Sequence, residues 1–452
     1  MIAHFAKTLP FSAHGKQRIL KTFLIFLALV SFALAQGTPA NFNQLLTVEQ
    51  LWALDQDAFQ KATSGLPFRW TSKLRDSARA ADAPGMTLFG RSVVEVIARF
   101  EKNKLSVIAA NFYTRGDAGD LTEPAFKKLL TETTETLNKV TGVKSTVRGK
   151  DPTNAVKAEG IIWNTAKSQY LLEYSFTKPK GPDAEFRAEF IRLEVRSQKE
   201  KLGIVATALA NSAASKSTFE GSMHVKRDTA SGDVWLHDVP MVDQGQKGYC
   251  VVASAERVMR YYGRDVDENE LAQIANTETD GGTSVEGLRD ALKKVTARLK
   301  VHVREVVKMD VKEILELIKD YNRAAKRAGE KEIPDQGQML NVPLIYQQMK
   351  PAVLKNAKTH NKADLNCFQR EVARSVDSGV PLLWSVHLGI VPEKPELPQA
   401  NGGHMRLIIG YNTKTQEILY TDSWGEGHEL KHMKADDAWT ITSTLLVIEP
   451  IR

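Results

Sequence analysis

The chain has 452 residues, 42% of them hydrophobic and 25% charged, with a formal net charge of +7. This is ordinary globular composition with enough length for two or three hydrophobic cores, and it excludes a disordered or fibrous protein. The modest positive balance gives no reason to expect a nucleic-acid partner.

The first segment accounts for much of that charge. Lys7, Lys16, Arg18 and Lys21 precede the run "FLIFLALVSFALA", giving the basic region, apolar region and Ala33-Leu34-Ala35 exit of a secretory signal over residues 1–35. Its removal takes away four of the 61 basic side chains and none of the 54 acidic ones, leaving about +3. The run from Phe23 to Ala35 is shorter than the roughly 20 residues a spanning helix needs. The expectation is therefore a secreted or periplasmic protein without a stable membrane span. In an oxidising compartment the two cysteines, Cys250 and Cys367, could form one bridge. Alternatively, Cys250 stays free because it reacts, and Cys367 packs as a small apolar residue on a helix.

Residues 36–202 read as a separate, β-rich α+β domain. "NFNQLLTVEQLWALDQDAFQKAT" has a helical pattern. The segments "SVVEVIARFEKNKLSVIAANFYT", "AEGIIWNTAKSQYLLEYSFT" and "AEFRAEFIRLEVR" are rich in β-branched and aromatic residues and read as antiparallel strands. One helix interrupts them, with Thr122 as N-cap, Pro124 in its first turn, Phe126, Leu129, Leu130, Thr133, Leu137 and Val140 on one face, and Gly142 at its end. This domain shows no catalytic constellation, so it could be a pro-segment, a docking module or a tether. Residues 203–232 are small, polar and weakly periodic, as a linker would be. Residues 233–452 open with helices and end in strand-like runs, which predicts a helical lobe followed by an antiparallel sheet.

Chemistry concentrates at "QGQKGYC", residues 244–250. Cys250 precedes a helical pattern in which Val251, Val252, Ala255, Val258, Met259 and Tyr262 share one face and Glu256, Arg257 and Arg260 the other. A thiol reacts as its thiolate, and a helix N-terminus and a protonated histidine both favour that form. Gly245 and Gly248 let the loop turn so that Gln244, or alternatively Gln246, points an amide toward the thiol. With the Cys250 backbone N–H, such an amide would form an oxyanion hole.

"QGQKGYC" resembles the Gln-Gly-x-x-Gly-x-Cys signature of papain-like cysteine peptidases. The resemblance implies a Cys250 nucleophile, a Gln244 oxyanion donor, and a downstream histidine with a polar partner. "GGHMRLIIGYN" supplies His404, 154 residues on, and "YTDSWGEG" supplies Asp422 where papain-like enzymes carry the Asn of Asn-Ser-Trp-Gly. Asp422 would orient the imidazole and add a negative charge favouring the imidazolium. Gly402 and Gly403 would leave room beside His404 for substrate backbone, Gly248 would also face substrate, and Trp424 would cover the His404–Asp422 hydrogen bond. His387, His428 and His432 are the rival histidines. The stretch from Tyr261, "YYGRDVDENELAQIANTETDGGTSVEGLRDALKK", is similar to the double-glycine, bacteriocin-leader-type branch of the same clan.

Three features depart from the pattern. Val251 stands where papain has tryptophan, and Lys247 stands where papain has a disulfide cysteine. Leader cleavage by a transporter-fused enzyme is not implied, because no transporter segment is seen. Residues 301–380 look like an insertion of unassigned role. No phosphate loop, HExxH or paired CxxC occurs, so no cofactor, metal or nucleotide is expected. The resemblance implies an exported cysteine peptidase acting on peptide or protein substrates. An acyl-transferring transpeptidase or transglutaminase-like enzyme, or an inert papain-like binding protein, are the alternatives.

Overall fold

The computed structural model describes residues 39–148, 156, 158–178, 185–198, 219–245, 247–264, 266–277, 283–337, 340–394 and 396–451. Residues 1–35, read above as a secretory signal, Gln246 and most of the 203–232 segment lie outside them. Two hydrophobic cores, each with its own antiparallel sheet, account for the two halves of the chain. Among the described residues, no helix is long and apolar enough to cross a membrane.

The N-terminal sheet runs from Arg69–Trp70 at one edge through Ser77–Ala81, Glu95–Glu101, Lys104–Thr114, Arg187–Ser197, Ser168–Thr177 and Glu159–Asn164 to Thr146–Val147. Lys102 and Asn103, both at positive φ, form the two-residue turn that joins Glu95–Glu101 to Lys104–Thr114. The helix Glu123–Thr141 starts where Thr122 accepts a hydrogen bond from the Ala125 N–H and ends at left-handed Gly142. It buries Phe126, Thr133 and Leu137, whereas Val140 is exposed. Residues 41–63 do not form one helix. Gln50 adopts a left-handed conformation, and Asp55 caps a separate short helix, Gln56–Ala62, so the pattern is cut into short turns.

The sheet's two faces differ in chemistry, as period-two alternation requires. Val96, Ala98, Ile108, Ala110, Ile191 and Leu193 fill the domain core. Glu95, Asn111, Arg192 and Glu194, on the other face, are also buried. They are buried because that face docks on the helices of the C-terminal domain. Arg192 pairs with Glu173 at 2.6 Å in its own sheet and reaches Asp267 and Glu270 (3.3 Å) across the interface. Asp267 is also the N-cap of the helix Glu268–Ala275. Arg99 faces Glu256 at 3.7 Å, and Ser175 Oγ donates to Gln273 Oε1 at 2.8 Å.

The C-terminal sheet has the order Val225–Arg227, Asp233–Leu236, Gly402–Asn412, Leu382–Leu388, Thr442–Pro450, Val301–Val307, with Glu417–Thr421 also pairing with Gly402–Asn412. The helix Cys250–Tyr261 packs against Gly402–Asn412, and Ser254 Oγ donates to the Met405 carbonyl at 3.4 Å. This is the expected helical lobe on an antiparallel sheet. Residues 219–232, read above as linker, instead join this domain. Val225–Arg227 pairs with Asp233–Leu236, and the Phe219 ring packs edge-on against Tyr261 and Tyr262. A three-residue edge strand of polar composition has no alternation to read, so composition places the boundary too late. The 301–380 segment is likewise woven into the core rather than appended. Val301–Val307 forms a sheet edge, and Ile314, Leu317, Tyr321, Val353 and Leu354 are buried in the shared cluster.

Arg192 has almost no exposed surface, and its removal would strand buried carboxylates on both domains. The Arg192→Ala variant is expected to lose about 3–5 kcal/mol of unfolding free energy. Denaturant titration followed by tryptophan fluorescence should show the loss.

Candidate active site

Cys250 is the first residue of its helix, so its thiol sits at the positive end of the helix dipole. It is partly exposed, and both Cys250 and Cys367 are free thiols. The helix holds its position because Val251, Val252, Ala255, Val258 and Met259 are buried, each large apolar side chain contributing about 1.5–3 kcal/mol. Arg257, on the opposite face in sequence, is also fully buried. Its guanidinium donates to the Pro240 carbonyl (2.7 Å), the Asp422 carbonyl (2.8 Å) and Thr421 Oγ1 (2.8 Å). Burial lowers its pKa to about 10. Arg257 thus ties the Cys250 helix to the strand end that bears Asp422.

Strand register brings the histidine and the carboxylate together. His404 lies near the start of Gly402–Asn412. Leu407 pairs with Thr421, so the residue after Glu417–Thr421, Asp422, falls beside Arg406. His404 and Arg406 are two apart and share a face. His404 Nε2 lies 3.2 Å from Asp422 Oδ1, and neither side chain has exposed surface. Nδ1 of His404 makes no hydrogen bond of ordinary geometry among the described residues, although the ring interacts with the Cys250 thiol. Arg406 Nε lies 2.7 Å from Asp422 Oδ1, and Lys431 Nζ donates to Oδ2 at 2.8 Å. Arg406 in turn contacts both carboxylate oxygens of Glu393 at 2.9 Å. Sequence reasoning missed Arg406 and Lys431; the signal for Arg406 was its two-residue spacing from His404.

Gln244 is fixed by the segment that carries Asp422. Its backbone N–H donates to the Ser423 carbonyl at 2.9 Å, and Ser423 Oγ donates to Gln244 Oε1 at 2.6 Å. With the amide oxygen engaged, the amide nitrogen is oriented; it donates to the Lys247 carbonyl at 3.3 Å. Ser423 is therefore a positioning residue that the sequence reading passed over. Gln246, the other glutamine of the loop, lies outside the described residues.

Trp424 stacks face to face on the His404 ring, with centroids 4.0 Å apart and planes 6° from parallel. His428 meets Trp424 edge-on, and its Nδ1 is 3.7 Å from Asp422 Oδ2. His387 stacks on Tyr346, and burial lowers its pKa to about 4. His432 faces Glu417 near the surface, at 3.6 Å. Of the four histidines, only His404 meets both Cys250 and Asp422.

These residues line a cleft of about 620 Å3 that includes Gln244, Gly248, Cys250, Gly403, His404 and Trp424. Thr283 and Ser284 complete one wall. Ser284 caps the helix Val285–Leu299 by accepting from the Gly287 N–H, which turns that helix's N-terminus toward the cleft.

The electrostatics favour an ion pair. Burial opposes ionisation of Cys250, but the hydrogen bond and charge of His404, together with the Met405 and Val251 backbone N–H groups, bring its pKa below the ordinary thiol value. Burial likewise opposes the imidazolium, but the hydrogen bonds to Asp422 and Cys250 outweigh it and raise the His404 pKa. Burial would raise Asp422 too, yet Arg406, His404 and His428 hold it well below the usual carboxylate range. The thiolate–imidazolium pair is lost to thiol protonation as pH falls through the Cys250 pKa, and to imidazole deprotonation as pH rises through the His404 pKa.

Alkylation of Cys250 is accordingly expected to begin at a lower pH than that of an ordinary thiol. In His404→Ala the Cys250 profile should move to higher pH. Peptide mass spectrometry after timed alkylation distinguishes the two thiols.

Residues 236–446 match the family model described as the Peptidase_C39 like family. Among solved structures, xylellain, a cysteine protease from Xylella fastidiosa, is 13% identical over 50% of this chain and 91% of its own, with a TM-score of 0.27. That score adds nothing to the geometry described above. No curated protein sequence matches the chain. The family match, which contains the whole cleft, supports a cysteine-type peptidase in the C-terminal domain.

Proposed function

We propose that the protein is an exported cysteine peptidase that hydrolyses peptide bonds through Cys250, His404 and Asp422, with Gln244 in the oxyanion hole. The observation that carries this reading is the convergence of a thiol at a helix N-terminus, an imidazole anchored on a buried carboxylate and an oriented amide on one open cleft. Export rests on the basic-apolar-small pattern of residues 1–35.

In the first half-reaction the Cys250 thiolate forms a bond to the scissile carbonyl carbon, and the oxygen takes the negative charge. The Gln244 amide and the Cys250 backbone N–H stabilise that oxyanion. The His404 imidazolium passes its proton to the amide nitrogen, the C–N bond breaks, and the amine product leaves a thioester on Sγ. In the second half-reaction neutral His404 takes a proton from water as the water oxygen attacks the thioester carbon. The C–S bond breaks, which releases the acid and restores the ion pair. Asp422 keeps the imidazole in the tautomer and orientation that both transfers require.

Cys250→Ala and His404→Ala are expected to abolish turnover of a peptide library while leaving far-ultraviolet circular dichroism unchanged. Gln244→Ala should lose about 10²–10³ in kcat. Retained hydrolysis in Cys250→Ala would sink the assignment. Product analysis with an added amine separates hydrolysis from acyl transfer, because transfer yields a new amide in place of the acid.

A further inference from the structure

Among the described residues, every one that lines the Cys250 cleft falls between 244 and 424. The N-terminal domain nevertheless reaches the cleft's margin. A second hollow, of about 290 Å3, has Pro67, Arg69, Trp70 and Ala83 of the N-terminal domain on one side. Gly245, Pro398 and Trp424 line this hollow and the Cys250 cleft alike.

The shared residues give the hollow a chemical direction. His404 must hand its proton to the departing amine, so the leaving segment of a substrate lies beside the imidazole. Trp424 is stacked on that imidazole, and the hollow continues from Trp424. The hollow therefore extends the leaving-group side of the cleft.

Its walls are held rather than loosely apposed. Arg79, in the strand Ser77–Ala81, bonds Glu95 and lies 3.6 Å from Asp243 of the nucleophile loop. Gly245 has φ of 66°, and a Cβ there would come within 2.8 Å of the Arg79 guanidinium. Lys247 of the same loop is buried between Asp117 of the N-terminal domain (2.9 Å) and Glu268 (2.6 Å). Gly116 passes so close to Tyr249 that a Cβ would meet the ring at 2.4 Å. On the other flank the Lys73 N–H donates to Glu429 at 2.9 Å. Trp70 is itself immobilised by Phe59, Phe100 and the Arg75 guanidinium, 4.5 Å from its ring.

We propose that the N-terminal domain forms a substrate subsite on the leaving-group side, taking an apolar or aromatic side chain that lies beyond the first residue after the scissile bond. Pro67, Trp70, Ala83, Pro398 and Trp424 supply its apolar surfaces, and Arg69, Arg79, Asp82 and Asp243 also line it and offer charged partners to the polar groups of the peptide backbone. The enzyme thus acts on extended polypeptide rather than on short peptides. This rests on the peptidase reading above.

The test uses two internally quenched peptides with the same acyl-side sequence and scissile bond. One ends a single residue past that bond, and the other continues for four residues including phenylalanine. In the full mature chain the ratio of kcat/KM, long over short, is expected to be at least tenfold. It should fall toward one in Ala83→Trp, which fills the hollow, and fall in Arg69→Glu, a change on an exposed edge strand. A ratio is insensitive to the fraction of protein that folds. A wild-type ratio near one, or a ratio unmoved by both variants, overturns the subsite while leaving the peptidase reading intact. Absence of Cys250-dependent cleavage of either peptide overturns both.

Discussion

Asp422 is a carboxylate without exposed surface, and a buried charge persists only where partners compensate its lost hydration. Arg406, Lys431 and His404 surround its oxygens, Glu393 balances Arg406, and Arg257 grips the Asp422 carbonyl from the Cys250 helix. The network joins the two halves of the site. It reaches the Cys250 helix through Arg257 and the Gln244 segment through the neighbouring Ser423–Gln244 pair.

The same network changes the meaning of the aspartate. An Asp where papain-like enzymes have Asn would by itself add a full negative charge beside the imidazole. Here two cations lie within 2.8 Å of its oxygens, so much of that charge is already compensated. What remains for His404 is chiefly the hydrogen bond to Oδ1, which sets tautomer and orientation. The ionised Asp422 still favours the imidazolium, with its charge shared between His404 and the two cations.

A second set of buried charges fastens the N-terminal domain to the rear and flank of the helical lobe. Arg192, Arg79 and Lys247 each bridge the domains, and each is matched by carboxylates. Ion pairs of this kind impose geometry more than they add stability, because desolvation offsets most of their attraction. Arg79 and Lys247 hold Asp243 and the residues just before Cys250 against the N-terminal domain.

The sequence alone was enough to find what local chemistry and spacing determine. The Cys250 loop, the His404 strand, the Asp-Ser-Trp-Gly turn and the capped helix Glu123–Thr141 are all continuous segments whose residue types state their geometry. Tertiary structure decided the partners. Arg257 reads as a polar-face residue and Arg406 carried no role in the sequence reading, yet both are among the most buried side chains, because one faces a strand end and the other the Asp422 carboxylate just past the neighbouring strand. The row Glu95, Asn111, Arg192 and Glu194 has the alternation of a solvent-facing strand surface and is covered only because a second domain supplies matching charges. Alternation reports that a face is polar, but whether that face meets water or another domain depends on residues far away in the sequence, such as Glu270 for Arg192. For the same reason the leaving-group hollow, built from Trp70 and Trp424, existed in no single stretch of the chain.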